Sequence, residues 1–186
     1  PIEYVEYFGQ VYSMYFKYNL KKTLKNTDMI LYNSEQTKRT TEEIFPEAKS
    51  IANVNAYIIS NPVKKQWDNK DDDYFLYVGN MEKRKGVDLL IKGYLQYKSR
   101  GGKKKLILGG KMQEEEINQI VRSAMMLDED ITYLDYVTHD KKHELYASMS
   151  AFVFPSKAEG FGMPIIEVMR FKKPIIASNL PIFDEI

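Results

Sequence analysis

The sequence predicts an α/β fold in which helices cover both faces of a parallel sheet. From Tyr74 onward, a short apolar run, a turn rich in glycine or polar residues and an amphipathic helical stretch follow one another repeatedly. This alternation is typical of parallel sheets, because parallel strands are joined by crossover connections that are usually helical. The apolar runs are also continuous, as expected of strands that are buried on both faces.

The elements of this region follow in order. Residues 74–78 form the first predicted strand, and the helix after it has an apolar stripe at Val87, Leu90, Ile91, Tyr94 and Leu95. A second strand at 105–108 ends at Gly109-Gly110, and the next helix has its stripe between Ile117 and Leu127. We predict further strands at 131–137, 151–155 and 175–177, helices at 138–149 and 164–171, and another helix beginning near the last residues.

The first sixty residues are rich in Tyr and Lys and less regular. They contain a predicted strand at 29–32, a helix from 34 or 35 to 45 and an extended stretch at 49–59. A polar, charged stretch follows, as in a linker. We therefore predict three regions: residues 1–62, a linker at 63–73 and an α/β domain at 74–186. The tyrosines at 4, 7, 12, 15 and 18 are expected to pack rather than to line an acceptor groove or to contact a membrane.

Composition excludes several classes of function. The 186 residues carry 27 Lys+Arg and 26 Asp+Glu, a net charge of +1, which gives no general attraction to nucleic acid or to an anionic membrane. The chain has no cysteine, so disulfides, thiolate zinc sites and cysteine nucleophiles are excluded. His139 and His143 are spaced as helical metal ligands are, but no acidic third ligand accompanies them, so we expect surface residues and no metal site.

A glycine-bearing loop offers the first candidate site. After the strand that ends at Pro155, residues 156–163 lead to Pro164, a residue type that favours the first position of a helix. The backbone N–H groups of Phe161, Gly162 and Met163 would then be unpaired donors suited to phosphate or sugar oxygens. Glu159 and Glu167 are expected to face the same crevice. The alternative is an ordinary helix start with two solvated glutamates.

A basic turn offers the second candidate site. Gly79 and Asn80 follow the first strand of the α/β region, and Arg84 and Lys85 come shortly afterwards. This places them at the carboxyl edge of the sheet, where open α/β folds bind ligands. Two cations there could neutralise a diphosphate. The alternative is a solvated basic turn before a helix.

These segments together resemble the retaining glycosyltransferases of family 4, which have the GT-B fold of two Rossmann-like domains. Glu159 and Glu167 fit the family's Glu-x7-Glu motif, and the surrounding residues 152–167 and 173–178 match its context. Supporting matches are Tyr77-Val78-Gly79 with Lys85-Gly86, the Gly109-Gly110 turn, residues 134–137, and, more weakly, residues 33–37 and 61–63.

The resemblance implies a role for each matching residue. Lys85, with Arg84, would contact the donor diphosphate, Glu159 the hydroxyls of the donor sugar, and Glu167 the nucleotide ribose. The backbone of Phe161, Gly162 and Met163 would touch sugar or phosphate, and Tyr136 and Val137 would lie against the base. Gly79, Asn80 and Gly110 would also belong to the donor-binding site. Asn80 stands where many members have Arg, so Arg84 is expected to supply the second charge; Asp135 stands where Gly is common.

The resemblance further implies a hexosyl transfer with retention, from a nucleotide-diphosphate sugar to a glycan or lipid-linked acceptor, in polysaccharide biosynthesis. Residues 1–62 would be the tail of the acceptor domain and 74–186 a truncated donor domain, so we expect this stretch alone to transfer nothing. No cofactor, metal or nucleic acid is expected. The location would be cytoplasmic, with peripheral membrane contact through the acceptor domain. A non-catalytic nucleotide-sugar binding module is the alternative, and an epimerase of the same architecture fits less well.

Overall fold

The structure is a computed structural model that describes residues 5–55 and 70–186. These residues form two compact units. The first unit holds residues 5–55 with Ala158–Gly162 and Leu180–Ile186, and the second unit holds residues 70–157 with Met163–Asn179. Most of the predicted linker, residues 63–69, lies outside the described residues. Residues 70–73 are bound to the second unit, since the N–H groups of Lys70 and Asp72 donate to the carbonyls of Ala147 and Ser148.

The first unit contains two parallel strands and three helices. In chain order they are α1 (Val5–Phe8), α2 (Gln10–Leu24), β1 (Met29–Tyr32), α3 (Glu35–Ile44) and β2 (Ala52–Asn55). Strands β1 and β2 pair in parallel. Helix α3 begins after Ser34, whose hydroxyl oxygen accepts a hydrogen bond from the N–H of Thr37 at 3.0 Å and so satisfies a donor that the helix leaves unpaired. Leu24, Phe45 and Ala48 form the buried core of this unit.

Helix α2 is the main difference between this unit and the sequence prediction. Its apolar residues are spread around the helix, so no stripe at helical spacing marks it in the sequence. Tyr12, Tyr15 and Tyr18 are 50%, 66% and 69% exposed, so the prediction that these three tyrosines pack is wrong. The predicted extended stretch at 49–59 is also wrong at its start, because Pro46–Ser50 form a 3-10 turn.

The second unit is built on a five-stranded sheet. Its strands are β3 (Tyr74–Val78), β4 (Lys105–Gly109), β5 (Ile131–Leu134), β6 (Ala151–Phe154) and β7 (Ile175–Ala177). They lie in the order β5-β4-β3-β6-β7, and every neighbouring pair is parallel. The fold class predicted from the sequence is therefore confirmed. The strand order reverses between β3 and β6, and doubly wound sheets bind their ligands outside the carboxyl ends of the strands at such a point.

Helices cover both faces of this sheet. They are α4 (Val87–Ser99), α5 (Glu115–Leu127), α6 (His139–Ser148) and α7 (Met163–Met169). Tyr77 of β3 packs into a buried cluster with residues of α4 and α5, whereas the hydroxyl of Tyr74, on the opposite face of the same strand, donates to the carbonyl of Leu145 in α6 at 2.8 Å. The strands thus have two buried faces, as their continuous apolar runs indicate.

Two elements near the carboxyl end differ from their predicted bounds or type. Helix α7 begins at Met163, one residue before the predicted Pro164, and ends at Met169, two residues before the predicted Phe171. The residues near the carboxyl end form a 3-10 turn, Pro181–Glu185, where a longer helix was expected. No helix within residues 5–55 and 70–186 combines the length and the apolar character needed to cross a bilayer.

Candidate functional site

Two loops meet beyond the carboxyl ends of β3 and β6, where the strand order reverses. The N–H of Lys157, in the loop after β6, donates to the carbonyl of Arg84, in the loop after β3, at 2.8 Å. Gly86 has a φ of 70°, and a Cβ atom on it would lie 2.0 Å from the carbonyl oxygen of Pro155. Only glycine adopts this conformation at so close an approach without strain. The predicted convergence of the two strand ends is confirmed.

An ion pair strengthens this junction. The ammonium group of Lys157 lies 2.8 and 2.9 Å from the two carboxylate oxygens of Asp88, in the first turn of α4. Both side chains are about three-quarters buried, and a carboxylate near a helix N-terminus is favourable by itself. Lys157 therefore links the loop after β6 to the helix that follows the basic turn.

The ends of β3 and β4 approach each other through a second glycine contact. Gly110 has a φ of 134°, and a Cβ atom on it would lie 1.9 Å from the carbonyl oxygen of Gly79. The N–H of Gly79 donates to the carbonyl of Gly109 at 2.9 Å. A side chain at position 110 would force these two turns apart, so the glycine keeps the edge of the sheet compact.

A cavity of about 360 Å³ opens at this edge. Five of the residues that sequence analysis assigned to the donor site line it, namely Gly79, Asn80, Gly110, Tyr136 and Val137, whereas Arg84 and Lys85, also assigned from the turn after β3, are not among its lining residues. The other lining residues are Val78, Lys111, His139 and Lys142. The structure thus brings together residues from three strand ends that are far apart in the sequence.

The lining of the cavity favours a ligand with both a flat ring and negative charge. Tyr136 is 68% exposed, and the ammonium of Lys111 lies 5.6 Å from the centre of its ring. Lys142 contributes a second ammonium group and Asn80 an amide. An aromatic face suits a planar apolar group, whereas ammonium groups suit phosphate or carboxylate oxygens.

Arg84 and Lys85 belong to a short 3-10 turn, Lys83–Lys85. A terminal nitrogen of Arg84 lies 3.0 Å from Oε2 of Glu82, and the side-chain amide of Asn80 donates to Oε1 of the same carboxylate at 2.9 Å. Glu82 therefore joins two residues that were both assigned to the donor site. The ammonium of Lys85 lies 5.8 Å from the centre of the Phe154 ring, at the end of β6. The contact of Arg84 and Lys85 with a ligand stays a prediction.

Glu167 is held by two residues of α6. The hydroxyl of Tyr146 donates to its Oε2 at 3.1 Å, and the ammonium of Lys142 lies 2.7 Å from the same oxygen. Because Lys142 also lines the cavity, the carboxylate stands one side chain away from it. The burial of Tyr146, and then the neighbouring charge of Glu167, raise the pKa of its hydroxyl, so it stays a neutral donor.

Residues 158–162 of the glycine-bearing loop belong to the first unit. The carbonyl of Gly160 lies 3.2 Å from the hydroxyl oxygens of both Ser34 and Thr37. Gly162 has a φ of 97°, and a Cβ atom on it would lie 2.9 Å from the ring of Phe183. Glu159 and Phe161 belong to the same stretch, whereas Met163 and Glu167 belong to the second unit. The expectation that Glu159 shares a crevice with Glu167, Arg84 and Lys85 stays a prediction.

His143 corrects one sequence expectation. It is buried against the ring of Phe171, with the ring of His139 4.2 Å away between centres, so it is not a surface residue. Burial first, and the charge of His139 second, lower the pKa of His143. Within the residues that the structure describes, no three His, Asp or Glu side chains gather as metal ligands would.

Sequence reasoning missed five residues of this region: Glu82, Lys111, His139, Lys142 and Tyr146. Lys111 follows a predicted glycine directly, and Lys142 and Tyr146 are four apart on one helix face, so adjacency and spacing could have indicated these three.

Lys111 also borders a second cavity of about 430 Å³, which is otherwise lined by Met112, Asn118, Arg122, Tyr133 and Asp135.

Comparison with known proteins identifies the family of this chain. Residues 60–186 match the family described as glycosyl transferases group 1, and the chain belongs to that family. O-antigen chain mannosyltransferase RfbU of Salmonella typhimurium is 27% identical over 189 residues, which cover 100% of this chain and 51% of that protein. O-antigen chain mannosyltransferase B of Escherichia coli is 32% identical over 127 residues, which cover 67% of this chain and 33% of that protein.

Solved structures agree on the fold. Sucrose-phosphate synthase from Thermosynechococcus elongatus superposes with a TM-score of 0.69 at 23% identity, over 88% of this chain and 44% of that one. Anabaena HepE, solved with UDP and glucose, superposes with a TM-score of 0.68 at 16% identity, over 91% of this chain and 50% of that one. The second unit therefore matches the Rossmann-like domains of GT-B glycosyltransferases. The chain spans about half of the length of RfbU and of HepE and less of the other two proteins.

Proposed function

We propose that this chain carries the donor-binding part of a retaining glycosyltransferase that moves a hexosyl group from a nucleotide-diphosphate sugar. One observation carries the proposal. The cavity at the carboxyl edge of β3, β4 and β5 is lined by five of the residues assigned to donor binding, Gly79, Asn80, Gly110, Tyr136 and Val137. Its exposed Tyr136 ring and its lysines fit the base and the charge of a nucleotide.

The relatives favour particular substrates. Both curated relatives described above are named as O-antigen chain mannosyltransferases, so we propose mannose as the donor sugar and a glycan or lipid-linked saccharide as the acceptor, within polysaccharide biosynthesis. The location that follows is the cytoplasm, with peripheral membrane contact through the acceptor domain. Retention is proposed from the Glu159 and Glu167 motif and the residues around it.

Sugar transfer requires positive charge near the glycosidic bond that breaks. A nucleoside diphosphate leaves as the glycosidic bond opens, so negative charge develops on its terminal phosphate. Lys85 and Arg84 lie beside the point where the strand order reverses, and we assign them to stabilise that charge without a metal ion. Glu82 pairs with one terminal nitrogen of Arg84, and this ion pair sets the position from which the guanidinium would reach the phosphate.

Calorimetric titration tests the donor site. The chain should bind UDP or GDP, and Gly110→Val should abolish binding because its side chain would collide with Gly79. Gly93→Val is a matched control, since a Cβ atom there meets nothing within 4 Å. Absence of binding to both nucleotides would contradict the proposal. If the full-length protein binds GDP-mannose but transfers no mannose to a saccharide acceptor, the non-catalytic binding module is the correct alternative.

A further inference from the structure

The carboxylate of Glu167 is asymmetrically occupied. Both of its partners, the Tyr146 hydroxyl and the Lys142 ammonium, contact Oε2. Among the described residues, none donates a hydrogen bond to Oε1. One oxygen is thus anchored by α6, and the other retains its capacity to accept hydrogen bonds.

The two anchors differ in their surroundings. Tyr146 is completely buried, and its ring is packed edge-on against Phe152 and beside Phe171, at centre distances of 5.7 and 5.5 Å. Its hydroxyl therefore has a fixed position. Lys142 is about one-fifth exposed and lies in the wall of the cavity. The carboxylate is held from inside by a rigid donor and from the cavity side by a charge.

We propose that Tyr146 and Lys142 are positioning residues that orient the Glu167 carboxylate so that its Oε1 accepts hydrogen bonds from the ribose hydroxyls of the bound nucleotide. The inference rests on the proposed function, since it deepens the account of the same donor site. A carboxylate fixed through one oxygen loses less rotamer freedom when a ligand binds to the other.

The test uses a pair of ligands that differ only in the ribose hydroxyls. The probe is whichever of UDP and GDP the chain binds more tightly, titrated beside its 2′,3′-dideoxy counterpart. The wild-type chain should prefer the ribonucleotide. Tyr146→Phe should weaken ribonucleotide binding by roughly 3- to 10-fold, the scale of a hydrogen bond, and should leave the affinity for the dideoxynucleotide unchanged. A general loss of packing would weaken both ligands equally.

Matched controls isolate the role of each anchor. Tyr94→Phe removes another buried hydroxyl, which donates to the carbonyl of Lys104 near the amino end of β4, and should change neither affinity. Lys142→Met should reduce the preference for ribose by roughly 3- to 10-fold, and Lys142→Arg should restore most of it. Lys141→Met, which removes an exposed ion pair with Glu144, should have no effect.

The outcomes distinguish failure of nucleotide binding from failure of the positioning role. If the wild-type chain binds neither nucleotide, the proposed function fails and the inference fails with it. If the wild-type chain binds both members of the pair equally, or if Tyr146→Phe and Lys142→Met weaken both members equally, the positioning role is overturned while nucleotide binding stands. Because Lys142 is partly exposed, its variant keeps the test decisive should Tyr146→Phe fail to fold.

Discussion

Gly86 lies so close to Pro155 that a Cβ atom on the glycine would stand 2.0 Å from the proline carbonyl oxygen. This contact joins the loop after β3 to the loop after β6, the two segments that flank the reversal of strand order. The site thus depends on backbone packing between segments that are nearly seventy residues apart in the sequence.

Gly86→Ala should destabilise the protein. The substituted residue would need a φ of 70° and would collide with Pro155, so the free energy of unfolding should fall by about 2 kcal/mol or more. Gly93→Ala is the control: it lies inside α4 with nothing within 4 Å of an added Cβ, and should stabilise the helix by up to about 1 kcal/mol. Denaturant unfolding measures both. Equal effects of the two variants would disprove the contact.

Lys85→Ala should weaken nucleoside-diphosphate binding by about 1.5–3 kcal/mol, the scale of a hydrogen bond to a charged group. Lys83→Ala is a neighbouring control, because the Lys83 ammonium is paired with Glu116 on an exposed surface and is not assigned to the ligand. Calorimetry of both variants distinguishes them. An unchanged affinity for Lys85→Ala would remove this residue from the site.

Glu167→Ala and Glu159→Ala should differ in their ligand dependence. Loss of a ribose contact should weaken both a bare nucleoside diphosphate and its nucleotide sugar, since both ligands contain the ribose. Loss of a contact to the donor sugar should spare the bare nucleotide, which offers Glu159 no partner. Binding of both ligands to both variants is the measurement. Equal losses for Glu159→Ala on the two ligands would show that its assigned role is wrong.

His143 should make the folded protein less stable in mild acid. Its pKa is lowered in the folded state, so below the ordinary histidine value of about 6.5 the unfolded chain binds more protons and is favoured. The free energy of unfolding should therefore fall as the pH decreases through and below that value, and His143→Gln should remove part of this fall. His139→Gln should remove less, because burial is the larger cause. Identical pH profiles for wild type and His143→Gln would contradict the expectation.

The sequence predicted the parts of the second unit that depend on local pattern. Continuous apolar runs ended by glycine predicted β3 and β4, and Thr138, which caps α6 through the N–H of Lys141, predicted that helix start. The strand order could not be predicted in this way, because it depends on which strands pair across the sheet. Helix α2 was missed because its apolar residues form no stripe. The rule that regularly spaced tyrosines usually pack fails there, because the tyrosines of α2 are exposed.

In the candidate site, too, positions at strand ends could be predicted, whereas contacts between side chains could not. Gly79-Asn80 was predicted from the strand that it ends, whereas Tyr136-Val137 was assigned through the family resemblance, and both pairs line one cavity. The partners of the charged residues could not be predicted, because they depend on side-chain geometry in three dimensions. Glu82 bridges Asn80 and Arg84, although nothing in the sequence distinguishes it from a solvated glutamate.

The central claim is that the cavity at the carboxyl edge of β3, β4 and β5 is the nucleotide site. A crystal structure of the chain with UDP or GDP bound tests it most directly. We expect the base against Tyr136 and Val137, the ribose at Glu167 and the diphosphate at Lys85. A nucleotide bound instead in the second cavity, beside Arg122 and Asn118, would contradict the assignment.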